Sequence, residues 1–182
     1  MILAGLSAHL QMKKILLLVL SLFTFMGLRF AQALPVGASA PVLEGTDQDG
    51  KKLNLGDFYK KGFVLVYFYP KADTPGCTAQ ACSLRDAYAD LAKEGVTVIG
   101  VSHDSPAAQK QFQDKYHLPF SLIADENGAF AKAFDVPING VYEKRQAFLI
   151  RDGKVVWADF AASTDQQAAD AKKAIQNLAP KR

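Results

Sequence analysis

The chain holds two cysteines, Cys77 and Cys82, and both follow the segment Pro70-Lys71-Ala72-Asp73-Thr74-Pro75-Gly76. Thr74 is a good N-cap and Pro75 a good first helical residue, so the spacing predicts a helix with Cys77 in its first turn. Unpaired backbone N–H groups and the positive end of the helix dipole favour an anion there, which makes Cys77 a candidate thiolate nucleophile. Gly76 lets the backbone approach a small ligand, and the Cys77 amide can then donate to an oxygen on which negative charge develops.

Cys82 lies five residues on. On one regular helix the two Cα atoms would be about 8.7 Å apart, whereas a disulfide needs less than about 7 Å. The pair can bond only if the first turns unwind, which suits a working cysteine pair. A structural disulfide is the plain alternative for two cysteines of an exported chain, although a loop this short offers little closure stabilisation. Metal binding is a third reading; past the leader it could add only His103 and His117, each as easily a surface or loop histidine.

The elements that must position these sulfurs are legible around them. Residues 63–70 form a short run of apolar and aromatic β-formers, read as a buried central strand. Residues 77–93 carry Leu84, Tyr88 and Leu91 at helical spacing and end at Gly95, a suitable left-handed stop. Residues 96–102 are continuous and β-branched, as in a parallel strand covered on both faces. Asp104 or Ser105 can cap a helix through residue 116. A strand at 120–124, a short helix at 129–134, a hairpin of 146–150 with 154–160 across Asp152-Gly153, and a last helix at 164–177 follow. Asp49-Gly50 sits between short segments at 42–45 and 51–55, an opening β-hairpin. The order predicts an α/β fold with a mixed central sheet flanked by helices.

Residues 1–33 read as a signal peptide: Lys13 and Lys14, then an apolar run at 15–28, then Ala31-Gln32-Ala33. The run is short of the roughly 20 residues a membrane span needs, which favours cleavage over anchorage. Met12 opens a more typical leader than Met1. Residues 34–41 read as a tether and 34–182 as a single domain, expected to be exported, in the periplasm. The formal charge of +3 belongs to the leader, which holds Lys13, Lys14 and Arg29 and no acidic residue. A neutral remainder without a basic block predicts no nucleic-acid partner, and no membrane partner once the leader is removed.

The run from Val64 through Pro70 to Cys77-Thr78 resembles the active-site segment of the peroxiredoxins, and the Cys77, Cys82 spacing is similar to their bacterioferritin-comigratory, or Q-type, group. The likeness continues through Gly100-Val101-Ser102-His103-Asp104-Ser105, Leu118-Pro119-Phe120, Asp125 and Arg145-Gln146-Ala147-Phe148-Leu149-Ile150. It implies a thioredoxin-like fold, a monomer, and reduction of hydrogen peroxide and organic hydroperoxides without a bound cofactor, with recycling by a thioredoxin-like dithiol donor. Under the resemblance Cys77 is the peroxidatic and Cys82 the resolving cysteine. Thr74 supplies a hydroxyl to the sulfur and the peroxide, Arg145 stands beside them, and Pro70 shields the sulfur. From the residues alone, Arg145 next to Lys144 would read as a solvated surface charge, and Pro70 as a strand end.

Two positions depart from the pattern. Gln80 stands where many relatives carry Glu, and Gln146-Ala147 replaces hydroxyl-bearing residues. Two other readings use the same sulfurs: an exported copper chaperone that adds His103 as a ligand, and a thiol-disulfide oxidoreductase, whose usual Cys-x-x-Cys spacing is absent.

Overall fold

The computed structural model describes residues 34–178; the expected leader and its cleavage site lie outside them. Nine strands and five α-helices follow in chain order. They are β1 (Glu44–Asp47), β2 (Lys52–Asn54), β3 (Phe63–Phe68), α1 (Pro75–Asp86), α2 (Tyr88–Lys93), β4 (Val96–Ser102), α3 (Pro106–Tyr116), β5 (Ser121–Ala124), α4 (Ala129–Ala133), β6 (Ile138–Asn139), β7 (Tyr142–Glu143), β8 (Gln146–Arg151), β9 (Lys154–Asp159) and α5 (Gln167–Leu178). Seven strands form one sheet in the order β2-β1-β5-β4-β3-β8-β9, and β6 and β7 pair separately. β3 runs parallel to β4 and antiparallel to β8, so the sheet is mixed, as expected.

β3 is the pivot of this sheet because it is apolar on both faces. Leu65 and Tyr67, with Tyr69 just beyond the strand, pack with Cys77, Ala81, Leu84, Leu91, Phe112 and the inner face of α5. Val64, Val66 and Phe68 pack with Phe130, Phe134, Phe148 and Ile150 on the other side. Burying each such side chain contributes about 1.5–3 kcal/mol, so both faces hold the strand end from which the cysteine loop departs.

The expected 77–93 helix is two helices. The chain breaks at Ala87 (φ −93°, ψ 1°), α1 ends at Asp86 and α2 restarts at Tyr88. The apolar spacing runs across the break, so the pattern showed no boundary. Ser105, not Asp104, caps α3, its hydroxyl accepting from Ala108 N at 3.3 Å. Asp152 and Gly153 take positive φ of 51° and 71° between β8 and β9, as that hairpin turn requires.

One further expectation is corrected. Residues 34–41 are no free tether: Gly37 N donates to Val155 O at 2.8 Å, Val155 N to Ala38 O at 3.0 Å and Ala40 N to Gly153 O at 2.8 Å. The unpaired edge of β9 needs such partners, and the segment supplies them. The β6–β7 hairpin was not anticipated, because its strands are two residues each. Among the described residues no helix is long and apolar enough to cross a membrane.

Candidate active site

Cys77 sits where the sequence placed it, in the first turn of α1, on the side of the helix that faces the sheet. Thr74 is the extended residue before the helix (φ −95°, ψ 152°) and Pro75 opens it. The helical ladder begins with Thr78 N donating to Thr74 O at 2.8 Å. The N–H groups of Gly76 and Cys77 therefore have no carbonyl within the helix and are directed at its N-terminal end. Cys77 is 2% exposed, packed with Tyr67, Tyr69, Ala81 and Leu84. Cys82, on the same helix, is partly exposed, and both are free thiols.

The geometry brings Arg145 to the sulfur. Its Nη2 donates to Cys77 Sγ at 3.4 Å and its Nη1 donates to the Gln80 side-chain oxygen. Arg145 thus spans two positions one helical turn apart on α1, and is not the solvated surface charge that the residues alone suggested. A methyl group at position 76 would lie 3.3 Å from Arg145 Nη2 and 3.2 Å from Thr164 Cγ2. Gly76 therefore leaves the guanidinium the room to reach the sulfur.

Gln80 continues the chain of contacts. Fully buried, it donates through Nε2 to Gln167 Oε1 on α5 at 2.9 Å. The sequence marked position 80 for its missing charge. It did not mark Gln167, because the partner is 87 residues away and α5 shows only an apolar stripe.

Thr74 departs from one expectation. Its hydroxyl makes no cap bond and donates to Lys71 O at 3.0 Å. Pro70 is half-buried at the end of β3, where the chain turns toward the cysteine.

A buried polar network anchors the loop below. Tyr69 OH donates to Gln109 Oε1; Gln109 Nε2 donates to Ser102 Oγ at 2.8 Å and to Ile123 O at 3.0 Å. Ser102 Oγ donates to Asp104 Oδ2 at 2.7 Å, and the same oxygen accepts from Ala72 N at 2.7 Å. On the outside, Asp73 holds a left-handed φ of 57° and takes bonds from Lys115 Nζ at 2.7 Å and Tyr116 OH at 2.6 Å. Lys115, first, and then Tyr116 hold its carboxyl below the usual range. Burial, first, and the neighbouring Tyr69 and Cys77 push the Tyr67 hydroxyl far above its ordinary range, so it stays protonated beneath the cysteine.

Among the described residues, no three His, Cys, Asp or Glu side chains group so as to hold a metal ion. His103 and the two sulfurs therefore do not form the copper set considered from sequence. His117 is exposed, as the left-handed residue ending α3.

The arrangement is suited to a nucleophilic sulfur: a buried cysteine at a helix start, a guanidinium in contact, and free backbone donors for a displaced oxygen. Comparison with known proteins agrees. Residues 36–158 match the model of the AhpC/TSA family. The chain is 44% identical over 142 residues to peroxiredoxin Bcp of Escherichia coli K12, a match covering 71% of this chain and 89% of that protein. It is 43% identical over 122 residues to the chloroplastic peroxiredoxin Q of Populus jackii, covering 66% of this chain. The chain spans little more than half the length of that plant relative, 57%. Among solved structures, peroxidoxin BcpB of Mycobacterium tuberculosis is similar with a TM-score of 0.75 at 30% identity, over 80% of this chain and 98% of that one. The fold is thus the thioredoxin-like one the resemblance implied, and the chain belongs to the AhpC/TSA family and, within it, to the peroxiredoxins of the Q and Bcp group.

Proposed function

We propose that this chain is a thiol peroxidase that reduces hydrogen peroxide and organic hydroperoxides through Cys77. The observation that carries the reading is the Arg145 guanidinium 3.4 Å from Cys77 Sγ at the start of α1. The Cys77 thiolate attacks one oxygen of the peroxide; the S–O bond forms as the O–O bond breaks, and the second oxygen leaves as hydroxide or alkoxide and takes a proton. Arg145 and the Cys77 amide stabilise charge as it passes between the oxygens. The Thr74 hydroxyl turns from Lys71 toward the bound peroxide, and Pro70 keeps water from the sulfur. Cys77 is left as a sulfenic acid.

In the second half of the cycle the start of α1 unwinds and the Cys82 thiol condenses with that sulfenic acid. The S–S bond forms, the S–O bond breaks, and water leaves. The two residues share one unbroken helix, which puts their Cα atoms about 8.7 Å apart, beyond disulfide reach. The local shape change is therefore part of the cycle. A thioredoxin-like dithiol reduces the disulfide by exchange. The enzyme acts as a monomer, and the pattern of residues 1–33 supports export to the periplasm.

The test is stopped-flow addition of hydrogen peroxide and a bulky hydroperoxide to the reduced protein, with mass analysis of the products. Cys77→Ser is expected to abolish peroxide consumption, and Cys82→Ser to allow one oxidation and stop at the sulfenic acid. Equal consumption by the parent and Cys77→Ser would overturn the reading.

A further inference from the structure

We infer that Gln167, on α5, is a latch that sets how readily α1 unwinds between the two chemical steps, and so sets the rate at which Cys82 captures the oxidised Cys77. The inference rests on the disulfide cycle proposed above. Its basis is the position of Gln80 between the two cysteines. Unwinding the segment that separates Cys77 from Cys82 must carry Gln80 out of its buried place and break its bond to Gln167 Oε1, 2.9 Å long. Both glutamines are fully buried; Gln80 Oε1 is satisfied by Arg145 Nη1, and for Gln80 Nε2 the Gln167 oxygen is the substitute for water.

A second tie lies beside the first. Ala168 N, in the first turn of α5, donates to Ser83 Oγ at 3.5 Å. This contact is long and sits beyond Cys82, outside the segment that must unwind. Of these two ties between α1 and α5, Gln80–Gln167 is the one that the transition breaks, together with the Arg145–Gln80 bond, while Ser83–Ala168 can keep the C-terminal half of α1 docked. The bond is also one-sided: Gln167 Nε2 is buried with no hydrogen-bond partner among the described residues. That orphan donor raises the free energy of the folded helix. The latch is thus weaker than a fully satisfied pair, as a contact that must open in each cycle requires.

Gln167 touches neither sulfur nor Arg145 in this hydrogen-bond network, and so is a positioning residue. Gln167→Leu keeps the volume and exchanges one orphan for another: the Gln167 donor goes, Gln80 Nε2 is left buried and unpaired, and the hydrogen bond between them is lost from the folded helix alone. Removing that acceptor favours the unwound helix about tenfold.

The experiment follows both steps separately by stopped-flow after a single pulse of hydrogen peroxide: formation of the Cys77 sulfenic acid, then its condensation with Cys82. Gln167→Leu is expected to leave the first rate within about twofold and to speed the second about tenfold. Hydrogen exchange on the reduced protein supplies a readout without turnover: amides of residues 77–82 should exchange about tenfold faster in Gln167→Leu. Condensation unchanged in Gln167→Leu, or both steps slowed together, would overturn the latch while leaving the peroxidase cycle standing. A parent protein that forms the sulfenic acid but never the Cys77–Cys82 disulfide would overturn the cycle itself and the latch with it.

Discussion

The two faces of the central sheet are built from the same strands and do different work. The face toward Val64, Val66 and Phe68 is closed by aromatic rings: Phe68, Phe134 and Phe148 meet with centroids 5.2–5.9 Å apart. The face toward Tyr67 and Tyr69 carries the cysteine, and hydrogen bonds that join Gln109 to Ser102, Ser102 to Asp104 and Gln80 to Gln167 are buried or half-buried around it. Dispersion on the first face is non-directional and survives small shifts. Hydrogen bonds on the second are directional and can be exchanged for water when a helix opens. One face fixes the scaffold, while the other holds the cysteine within bonds that water can replace.

Substitutions on the two faces should therefore separate stability from chemistry. The largest effect expected is on the aromatic face: Phe134→Ala should cost about 3–5 kcal/mol in denaturant unfolding. Peroxide reactivity of the molecules that remain folded should be unchanged. Arg145→Ala should do the opposite, slowing sulfenic acid formation about 100-fold or more while costing only about 1–3 kcal/mol of stability for the Gln80 oxygen left unpaired. A loss of stability as large as that of Phe134→Ala would erase the contrast between the faces. Asp104→Ala removes the carboxylate that takes bonds from both Ser102 Oγ and Ala72 N. About 1–3 kcal/mol of stability and part of the oxidation rate should fall together, since the cysteine loop hangs from that oxygen; a change in stability alone would detach the network from the site.

The smallest effect expected concerns Glu143, 1% exposed on β7 and without a hydrogen-bond partner among the described residues. Burial, first, and the neighbouring Asp125 push its carboxyl up to about 9, so at neutral pH it is protonated. Asp125 is itself held by Phe130 N at 3.0 Å and Ala131 N at 2.9 Å at the start of α4. The folded value lies above the unfolded one, so its contribution is fully present below about 4.5 and is lost as pH rises toward about 9. Glu143→Gln should remove that decline and stabilise the protein by about 1–3 kcal/mol at pH 8, with little difference at pH 4.5. Urea unfolding at the two pH values measures it, and equal differences at both would show that Glu143 ionises freely in the fold.

Local physics made much of this legible in advance. Thr74, Pro75 and the two cysteines marked a helix start because each residue's preference acts within one turn, and the apolar run of β3 marked a buried strand for the same reason. The break at Ala87 was hidden because apolar spacing continues across it. Residues 34–41 looked like a tether because their composition says nothing of the β9 edge that pairs with them. The β6–β7 hairpin, which leads directly into Arg145, is too short to show a period.

What the amino-acid order by itself determined is the place of Cys77 at the head of a helix, since Pro75 and the helix dipole act on neighbours in the chain. Only the tertiary structure decided that Arg145 reaches the sulfur, 68 residues away, and that Gln80 meets Gln167, 87 residues away. Those contacts arise because β3 and β8 pair and α1 and α5 cover the same face of the sheet. A guanidinium or an amide reads the same in sequence whether it ends in water or against a partner, and packing alone distinguishes the two.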